Sequence, residues 1–305
     1  MKTYLGKSQN PRYDGCHTSH LAFTMNPSKP ILYFAHANGF PADCYPAFFA
    51  PLSAQYEVKY LSVLAMNPDY PVTPTWDLLV DEVIADIVAQ ACGSKVVGVG
   101  HSFGSLLLLM ASYKRPELFE QVVLMDPPFL IGKKTALLEV AQKFKLSMVD
   151  RATPALLAVK RVDFWPSRDV AYQSLRHKSI FKRFDERCFQ AYMTHGLVED
   201  SARDGITLRI PKVLEAEIFR TVPSWWWRTP KSPPQVPVHL LTASDSIFYQ
   251  HGFPQLIQQQ YRITYSVVEG GHMLPLETPE ATAATVLEII AQQAAMLDDK
   301  TASLA

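Results

Sequence analysis

The stretch GVGHSFGS, residues 98–105, decides how the rest of this 305-residue chain is interpreted. It contains a G-x-S-x-G frame, with Gly100 and Gly104 on either side of Ser102. The run KVVGVG at 95–100 predicts a buried strand, and FGSLLLLMASYK after it predicts a helix that is apolar nearly all round. A serine on such a sharp turn projects at the edge of a sheet, near helix N-terminal amides. The pattern predicts that Ser102 is a nucleophile; a tight glycine turn without chemistry is the alternative.

Strands and helices alternate on both sides of this turn. Strands are predicted at residues 31–37, 56–63, 95–100, 121–126, 238–243 and 263–270, and helices at 76–88, 103–114, 253–260 and from 279 onward. Short apolar runs that alternate with helical patterns favour a mostly parallel sheet with helices on both faces. The predicted fold class is therefore α/β, with a doubly wound sheet.

Residues 131–235 break this alternation. They are rich in helix formers, contain no strand run of comparable quality, and lead into the proline-rich stretch VPSWWWRTPKSPPQVP. We expect a helical cap, or lid, inserted over the carboxyl ends of the strands, where open α/β sheets place their sites. The chain then divides into a core, residues 1–130 and 236–305, and a cap, residues 131–235. The WWWR run at 225–228 is interpreted as cap packing, with an aromatic wall of an acyl pocket as the alternative.

A serine hydroxyl needs a base, and the base needs an acid that orients it. In this architecture the expected order along the chain is Ser, then Asp or Glu, then His. Asp245, in TASDS, follows the fifth predicted strand, and His272, in GGHMLPLE, follows the sixth. We therefore predict a triad of Ser102, Asp245 and His272. Asp126 also ends a predicted strand and is the alternative acid, although the two prolines after it favour a loop-shaping role.

These motifs resemble those of the α/β-hydrolase superfamily of serine esterases, lipases and their relatives. GHSFGS is similar to the nucleophile elbow, TASD to the acid loop, GGHMLPLETPE to the histidine loop, and HANGFP to the oxyanion loop. The resemblance covers residues from about 31 to 130 and from about 236 to 298. It implies an α/β-hydrolase fold and hydrolysis of a carboxylic ester through an acyl-enzyme. No metal and no organic cofactor are implied.

The resemblance also implies an oxyanion hole formed by two backbone N–H groups. One is the N–H of Phe103, the residue after the nucleophile, and the other comes from the HANG loop, with Asn38 preferred over Ala37. The family commonly has His-Gly where this chain has His36-Ala37. We expect His36 to hydrogen-bond backbone in this loop and His101 to pack at the elbow.

Several other functions remain open. Thioester hydrolysis uses the same triad, and carbon–carbon bond hydrolysis or cofactor-free perhydrolysis occurs on similar triads. A ligand receptor on the same scaffold would bind without turnover. Serine at the elbow argues against haloalkane dehalogenase and epoxide hydrolase chemistry, because the similar position in those enzymes is an Asp.

The charge distribution is uneven. The formal net charge is zero, so the chain as a whole gives no reason to expect nucleic-acid or anionic-membrane binding. Residues 131–235 nevertheless hold 19 of the 29 Lys and Arg residues but only 11 of the 29 Asp and Glu residues, a net charge of +8. This is either a solvated basic face that pairs with the acidic core, or a docking surface for an anionic carrier or head group, such as acyl-carrier protein or coenzyme A. A small-molecule acyl ester is the expected substrate in both cases.

Cysteine usage and hydropathy limit the remaining classes. The four cysteines are widely spaced and form no C-x-x-C pair, which argues against disulfides and a structural zinc site. Cys16, His17 and His20 crowd together, but they lack a further ligand at metal-binding spacing and are interpreted as a polar N-terminal loop. The first fifteen residues lack the apolar stretch of a signal peptide, and LLLLMA at 106–111 is too short to span a bilayer. We expect a cytoplasmic protein without a membrane span.

Overall fold

The computed structural model describes residues 29–132, 135–228 and 232–302. The strands are β1 (Ile31–Ala35), β2 (Glu57–Tyr60), β3 (Val96–His101), β4 (Phe119–Met125), β5 (Phe164–Trp165), β6 (Leu197–Asp200), β7 (Gly205–Leu208), β8 (Val238–Ala243) and β9 (Thr264–Val268). The α-helices are α1 (Pro46–Leu52), α2 (Asp77–Ala91), α3 (Phe103–Lys114), α4 (Thr135–Lys143), α5 (Met148–Ala152), α6 (Ala155–Lys160), α7 (Arg168–Arg176), α8 (Glu186–His195), α9 (Lys212–Arg220), α10 (Ile247–Gln250), α11 (Phe253–Tyr261), α12 (Leu274–Glu277) and α13 (Pro279–Ala302). Short 3₁₀ helices lie at Ala42–Cys44, Pro116–Leu118 and Trp225–Arg228. The predicted polar loop around Cys16, His17 and His20 lies outside the described residues.

The central sheet has six strands in the order β2-β1-β3-β4-β8-β9, and all of its neighbouring strands are parallel. The predicted α/β class is confirmed. Successive side chains of a strand point to opposite faces, so β3 contributes to two apolar clusters. Val97 and Val99 pack on the face that α1 and α13 cover, whereas Val96 packs on the face that α2, α3 and α11 cover. All six residues of β3 are buried, and this fixes the strand that leads to Ser102 at the centre of the fold.

Residues 131–235, the predicted cap, contain helices α4 to α9 and a small second sheet. The order of this sheet is β5-β7-β6, and both of its strand pairs are antiparallel. The sequence analysis found no strand run of comparable quality in residues 131–235 and did not predict these three short strands. The three strands have only two to four residues each, too few for an alternating pattern to stand out in the sequence.

Cap residues contact loops that follow three strands of the central sheet. The backbone C=O of Glu215 in α9 accepts a hydrogen bond from the Asn38 side chain, which lies after β1. Arg183 pairs with Asp245, after β8, and with Glu277, after β9. These loops leave the carboxyl ends of parallel strands, so Glu215 and Arg183 lie at the edge of the sheet that holds Ser102.

Two tryptophans near the end of the predicted cap, Trp225 and Trp226, pack against each other and against the core. The Trp226 ring lies 4.6 Å from the Phe129 ring in a T-shaped contact, and it stacks on Trp225 at the same centroid distance. Trp226 is buried within the cluster that also holds the apolar side chains of α3. These contacts agree with the interpretation of WWWR as packing of the cap against the core. Among the helices of the described residues, none combines the length and the hydropathy that crossing a membrane requires.

Candidate active site

Ser102 joins β3 to α3 in a strained backbone conformation. Its φ of 52° and ψ of −114° lie in a backbone region that residues other than glycine rarely adopt. A Cβ atom on Gly100 would lie 2.5 Å from Ser105 Cα, and one on Gly104 would lie 2.2 Å from the Ala35 carbonyl oxygen. Both positions of the frame therefore require glycine, because strand and helix approach too closely for any side chain.

His272 lies next to Ser102. Its Nε2 is 2.9 Å from Ser102 Oγ, so the structure brings together the two residues predicted as nucleophile and base. His272 follows β9 after Gly270, whose φ of 143° favours glycine, and after Gly271, whose N–H donates to Glu277 Oε2 at 3.0 Å. The His272 side chain is 37% exposed, which leaves room for a substrate above it.

The carboxylate that contacts His272 is not the predicted one. His272 Nδ1 is 2.5 Å from Asp126 Oδ2, whereas Asp245 accepts a hydrogen bond from Arg183 Nη1 at 2.8 Å and its side chain is 59% exposed. The prediction that Asp245 pairs with His272 is wrong, and the alternative Asp126 holds that place. The reason lies in the strand order: β4, which Asp126 follows, is next to β3, and β8 is one strand farther away.

Asp126 sits in a buried network of donors. Thr242 Oγ1 donates to Asp126 Oδ1 at 2.7 Å, and Ser246 Oγ donates to Oδ2 at 2.6 Å. Burial by itself would raise the pKa of the Asp126 carboxyl, but the hydrogen bonds from His272, Ser246 and Thr242 outweigh burial and hold the pKa below its usual range. The carboxylate is therefore charged at neutral pH. The TASDS segment thus supports Asp126 through Thr242, near the end of β8, and Ser246, which follows the strand. The sequence analysis missed both residues because single small hydroxyl residues give no distinct signal.

Two backbone N–H groups near Ser102 are available to a ligand. Within the described part of the chain, the N–H groups of Phe103 and Asn38 have no acceptor, whereas Ala37 N–H donates to Tyr45 Oη at 3.3 Å. The N–H of Gly104 donates to the His36 carbonyl at 3.1 Å and ties the elbow to the HANG loop. The geometry is compatible with Asn38 and Phe103 as the donor pair.

The two other histidines of these motifs are buried and neutral. His36 Nε2 accepts a hydrogen bond from Leu64 N–H at 2.7 Å, and its Nδ1 donates to the Ala37 carbonyl at 2.8 Å. Burial lowers the pKa of His36 to about 4. Burial and, to a smaller extent, the neighbouring His272 lower the pKa of His101 to about 3. Both side chains are engaged with structural partners, as the sequence analysis expects for residues outside the catalytic chemistry.

Five basic residues lie close together in sequence and form a basic cluster: Arg176, Lys178, Lys182, Arg183 and Arg187. Its three arginines are paired within the chain. Its ion pairs are Arg176 with Glu186, Arg183 with Asp245 and Glu277, and Arg187 with Asp185 and Glu280. Lys178 and Lys182 are exposed and form no ion pair with any described residue. This pairing agrees with a solvated basic face, and only these two lysines of the cluster are left for an external anion.

Comparisons with known proteins support the fold. A model of the alpha/beta hydrolase family matches residues 32–285. Among curated proteins, the type I acyl-CoA thioesterase mpaH' of Penicillium brevicompactum is 26% identical over 140 residues. That alignment covers 39% of this chain and 30% of mpaH', so the chain spans less than a third of this curated relative.

Solved structures with the same fold include two enzymes of different substrate class. E-2-(acetamidomethylene)succinate hydrolase superposes with a TM-score of 0.65 at 16% identity, over 87% of this chain and 92% of that chain. The M. tuberculosis esterase Rv0045c superposes with a TM-score of 0.61 at 17% identity, over 87% of this chain and 86% of that chain. At such identities the similarity shows the fold alone.

Proposed function

Because the chain belongs to the alpha/beta hydrolase family, we propose that it is a serine hydrolase that cleaves carboxylic esters through an acyl-enzyme on Ser102. The observation that carries the proposal is the hydrogen-bonded line from Ser102 Oγ through His272 to Asp126, with distances of 2.9 and 2.5 Å. A strained serine beside an imidazole that a buried carboxylate orients is the arrangement that nucleophilic catalysis needs.

Acylation uses His272 first as base and then as acid. His272 Nε2 takes the hydroxyl proton of Ser102 while Oγ attacks the ester carbonyl carbon, and the carbonyl oxygen becomes an oxyanion. When this tetrahedral intermediate collapses, the bond to the leaving oxygen breaks, and the imidazolium gives its proton to that oxygen. The alcohol departs, and the acyl group remains on Ser102 Oγ.

Deacylation repeats these steps with water. His272 removes a proton from a water molecule that attacks the acyl carbon, and it then returns the proton to Ser102 Oγ as the acid product leaves. Asp126 accepts a hydrogen bond from the Nδ1–H of His272 throughout both steps. This bond fixes the tautomer of the imidazole and stabilises the imidazolium. Its depressed pKa keeps this carboxylate charged at neutral pH.

The oxyanion is stabilised by the N–H groups of Phe103 and Asn38. Each is a backbone donor that has no acceptor within the described residues, and Phe103 is the first residue of α3, where the helix dipole also favours negative charge. Asn38 is preferred over Ala37, because the N–H of Ala37 already donates to Tyr45 Oη.

Thioester hydrolysis is the second candidate, since the matched curated relative is named as an acyl-CoA thioesterase. The same residues would act in the same order: the bond to the thioester sulfur breaks, the imidazolium gives its proton to that sulfur, and a thiol departs in place of the alcohol. The unpaired Lys178 and Lys182 give the cap two cations that an anionic carrier such as coenzyme A would contact.

The charge-reversed variant Lys178→Glu/Lys182→Glu should then raise KM for an acyl-CoA thioester and leave KM for a small neutral ester unchanged. An equal change in KM for both substrates would contradict the docking of a carrier at these two lysines.

Matched substrates test both candidates. The same acyl group, at increasing chain length, is supplied as a p-nitrophenyl ester and as a coenzyme A thioester, in excess over enzyme. We expect turnover by the wild type, loss of turnover in Ser102→Ala, and retention in Ser112→Ala, which removes another buried hydroxyl of α3 that bonds Leu109. The ratio of kcat/KM for the two series identifies the preferred leaving group. If the protein binds these substrates but turns over neither series, the result contradicts an enzymatic function and favours a ligand receptor.

A further inference from the structure

A second line of hydrogen bonds runs beside the triad. Ala37 N–H is 3.3 Å from Tyr45 Oη, Tyr45 Oη is 2.9 Å from His101 Nδ1, and His101 Nε2 is 2.9 Å from the His272 carbonyl oxygen. One end of the line is the backbone next to Asn38, and the other is the backbone of the residue that contacts Ser102. The line therefore joins the HANG loop to the histidine loop.

The direction of every bond in this line is determined by its two ends. The N–H of Ala37 can only donate, and the carbonyl oxygen of His272 can only accept. His101 therefore carries its proton on Nε2, and the hydroxyl of Tyr45 donates to Nδ1. An imidazolium would turn this acceptor into a second donor, so the line requires a neutral His101. Bonds that point the same way in a buried site also polarise and strengthen one another.

The line is enclosed by the core. Tyr45 and His101 are both 0% exposed, and their rings meet edge-on at a centroid distance of 5.9 Å. The Tyr45 ring also packs 4.8 Å from Phe34 of β1. A hydroxyl and an imidazole at such positions are costly unless each polar atom has a partner, and the line supplies all of those partners.

We propose that Tyr45 and His101 are positioning residues that hold the HANG loop and the backbone of His272 in fixed register. This inference rests on the proposed function, because it concerns how the oxyanion donors and the base come to act on one carbonyl group. The two loops follow β1 and β9, which are separated in the sheet by β3, β4 and β8. These two loops therefore do not follow adjacent strands. The hydrogen bonds of Tyr45 and His101 connect them directly. A displacement of about 1 Å between reacting groups lowers a rate by about 100-fold, so such a link controls kcat.

Kinetics of two conservative variants test the proposal. Tyr45→Phe keeps the ring and removes the hydroxyl, and His101→Gln keeps an amide donor for the His272 carbonyl but breaks the link to Tyr45. Each should lower kcat by about 10- to 100-fold and change KM by less than about twofold. The double variant should be no slower than the slower single variant, because both substitutions break one line. An alkylboronic acid, which forms a tetrahedral adduct with a serine, should bind each variant more weakly in proportion to the loss of kcat.

The matched control is Tyr33→Phe. Tyr33 is equally buried, lies in β1, and donates its hydroxyl to Asp86 at 2.7 Å, outside the line. It should keep the wild-type kcat even if its stability falls. Wild-type kcat in Tyr45→Phe, an equal loss in Tyr33→Phe, or additive losses in the double variant would each overturn the proposal.

A spectroscopic measurement separates this inference from the proposed function. In ¹⁵N-histidine NMR spectra of the wild type, His101 should appear as a neutral Nε2–H tautomer from about pH 5 to about pH 8. Tyr45→Phe should shift the Asn38 amide and the His272 imidazole resonances, and Tyr33→Phe should leave both unchanged. An Nδ1–H tautomer, an imidazolium, or unshifted resonances in Tyr45→Phe would overturn the inference. Failure of the wild type to hydrolyse any ester or thioester removes the proposed function, and these spectra still decide whether the line couples the two loops.

Discussion

The loops after β4 and β8 each carry an aspartate within two residues of the end of the strand, yet the two aspartates have opposite environments. Asp126 is buried and accepts hydrogen bonds from His272, Thr242 and Ser246. Asp245 is exposed and pairs with Arg183 of the cap. The end of β8 and the loop after it contribute to the site through the hydroxyl groups of Thr242 and Ser246, whereas Asp245 between them contacts Arg183. Similar local sequences thus take different roles according to which strand stands next to β3.

The largest expected effect separates the two aspartates directly. Asp126→Asn should lower kcat by about 10³- to 10⁴-fold, because an amide at this place neither stabilises the imidazolium nor fixes the reactive tautomer. Asp245→Asn should lower kcat by less than about tenfold. Steady-state kinetics on one ester, with circular dichroism to verify folding, measures both. A greater loss in Asp245→Asn than in Asp126→Asn would reverse the assignment made from the contacts.

The serines on either side of Asp245 sharpen the comparison. Ser246→Ala removes a donor to Asp126 Oδ2 and should lower kcat by about tenfold, since a hydrogen bond to a charged group contributes about 1.5–3 kcal/mol. Ser244→Ala is the matched control, because Ser244 Oγ lies 3.5 Å from Asp245 Oδ1 and does not contact Asp126. Kinetics of the two variants decides the point: equal kcat values would show that the hydroxyl of Ser246 does not support the acid.

Acid stability tests the charge of Asp126. Its pKa is lowered in the folded protein, so its contribution to stability is fully present above the unfolded pKa of about 3.9 and is lost as the pH falls through the folded pKa. The free energy of unfolding of the wild type should fall steeply below about pH 4, and Asp126→Asn should show a shallower decline. Urea denaturation between about pH 7 and about pH 3 measures both curves. Parallel acid limbs would contradict an ionised Asp126 in the native state.

The smallest expected effect concerns the cap side of the comparison. Arg183→Gln breaks the contacts to Asp245 and Glu277. Arg183 and Asp245 are each about half exposed, so solvent screens their attraction, and the buried Glu277 carboxylate keeps its hydrogen bond from Gly271 N–H. The free energy of unfolding should change by less than about 1 kcal/mol and kcat by less than about threefold. Denaturation and kinetics in low and high salt check this. A large loss of kcat would mean that the cap contact, rather than the buried network, aligns the histidine loop.

Much of the fold was predictable because its signals are local. The six strands of the central sheet and helices α2, α3, α11 and α13 appear at the predicted places, since apolar runs and 3.6-residue periodicity arise from residues close in sequence. The strands of the cap were missed because two to four residues carry no period. Their pairing depends on segments that are distant along the chain, such as Phe164 with Thr207.

The sequence by itself determined the α/β class, the glycines that Ser102 requires on the turn, and the proximity of His272 to Ser102. Each follows from sterics or from position at the end of a strand. Only the tertiary structure decided that Asp126 rather than Asp245 contacts His272, and that Tyr45 and His101 connect two loops. A hydrogen bond between residues far apart in sequence depends on strand order and on burial. The residues next to the two partners in sequence determine neither of these.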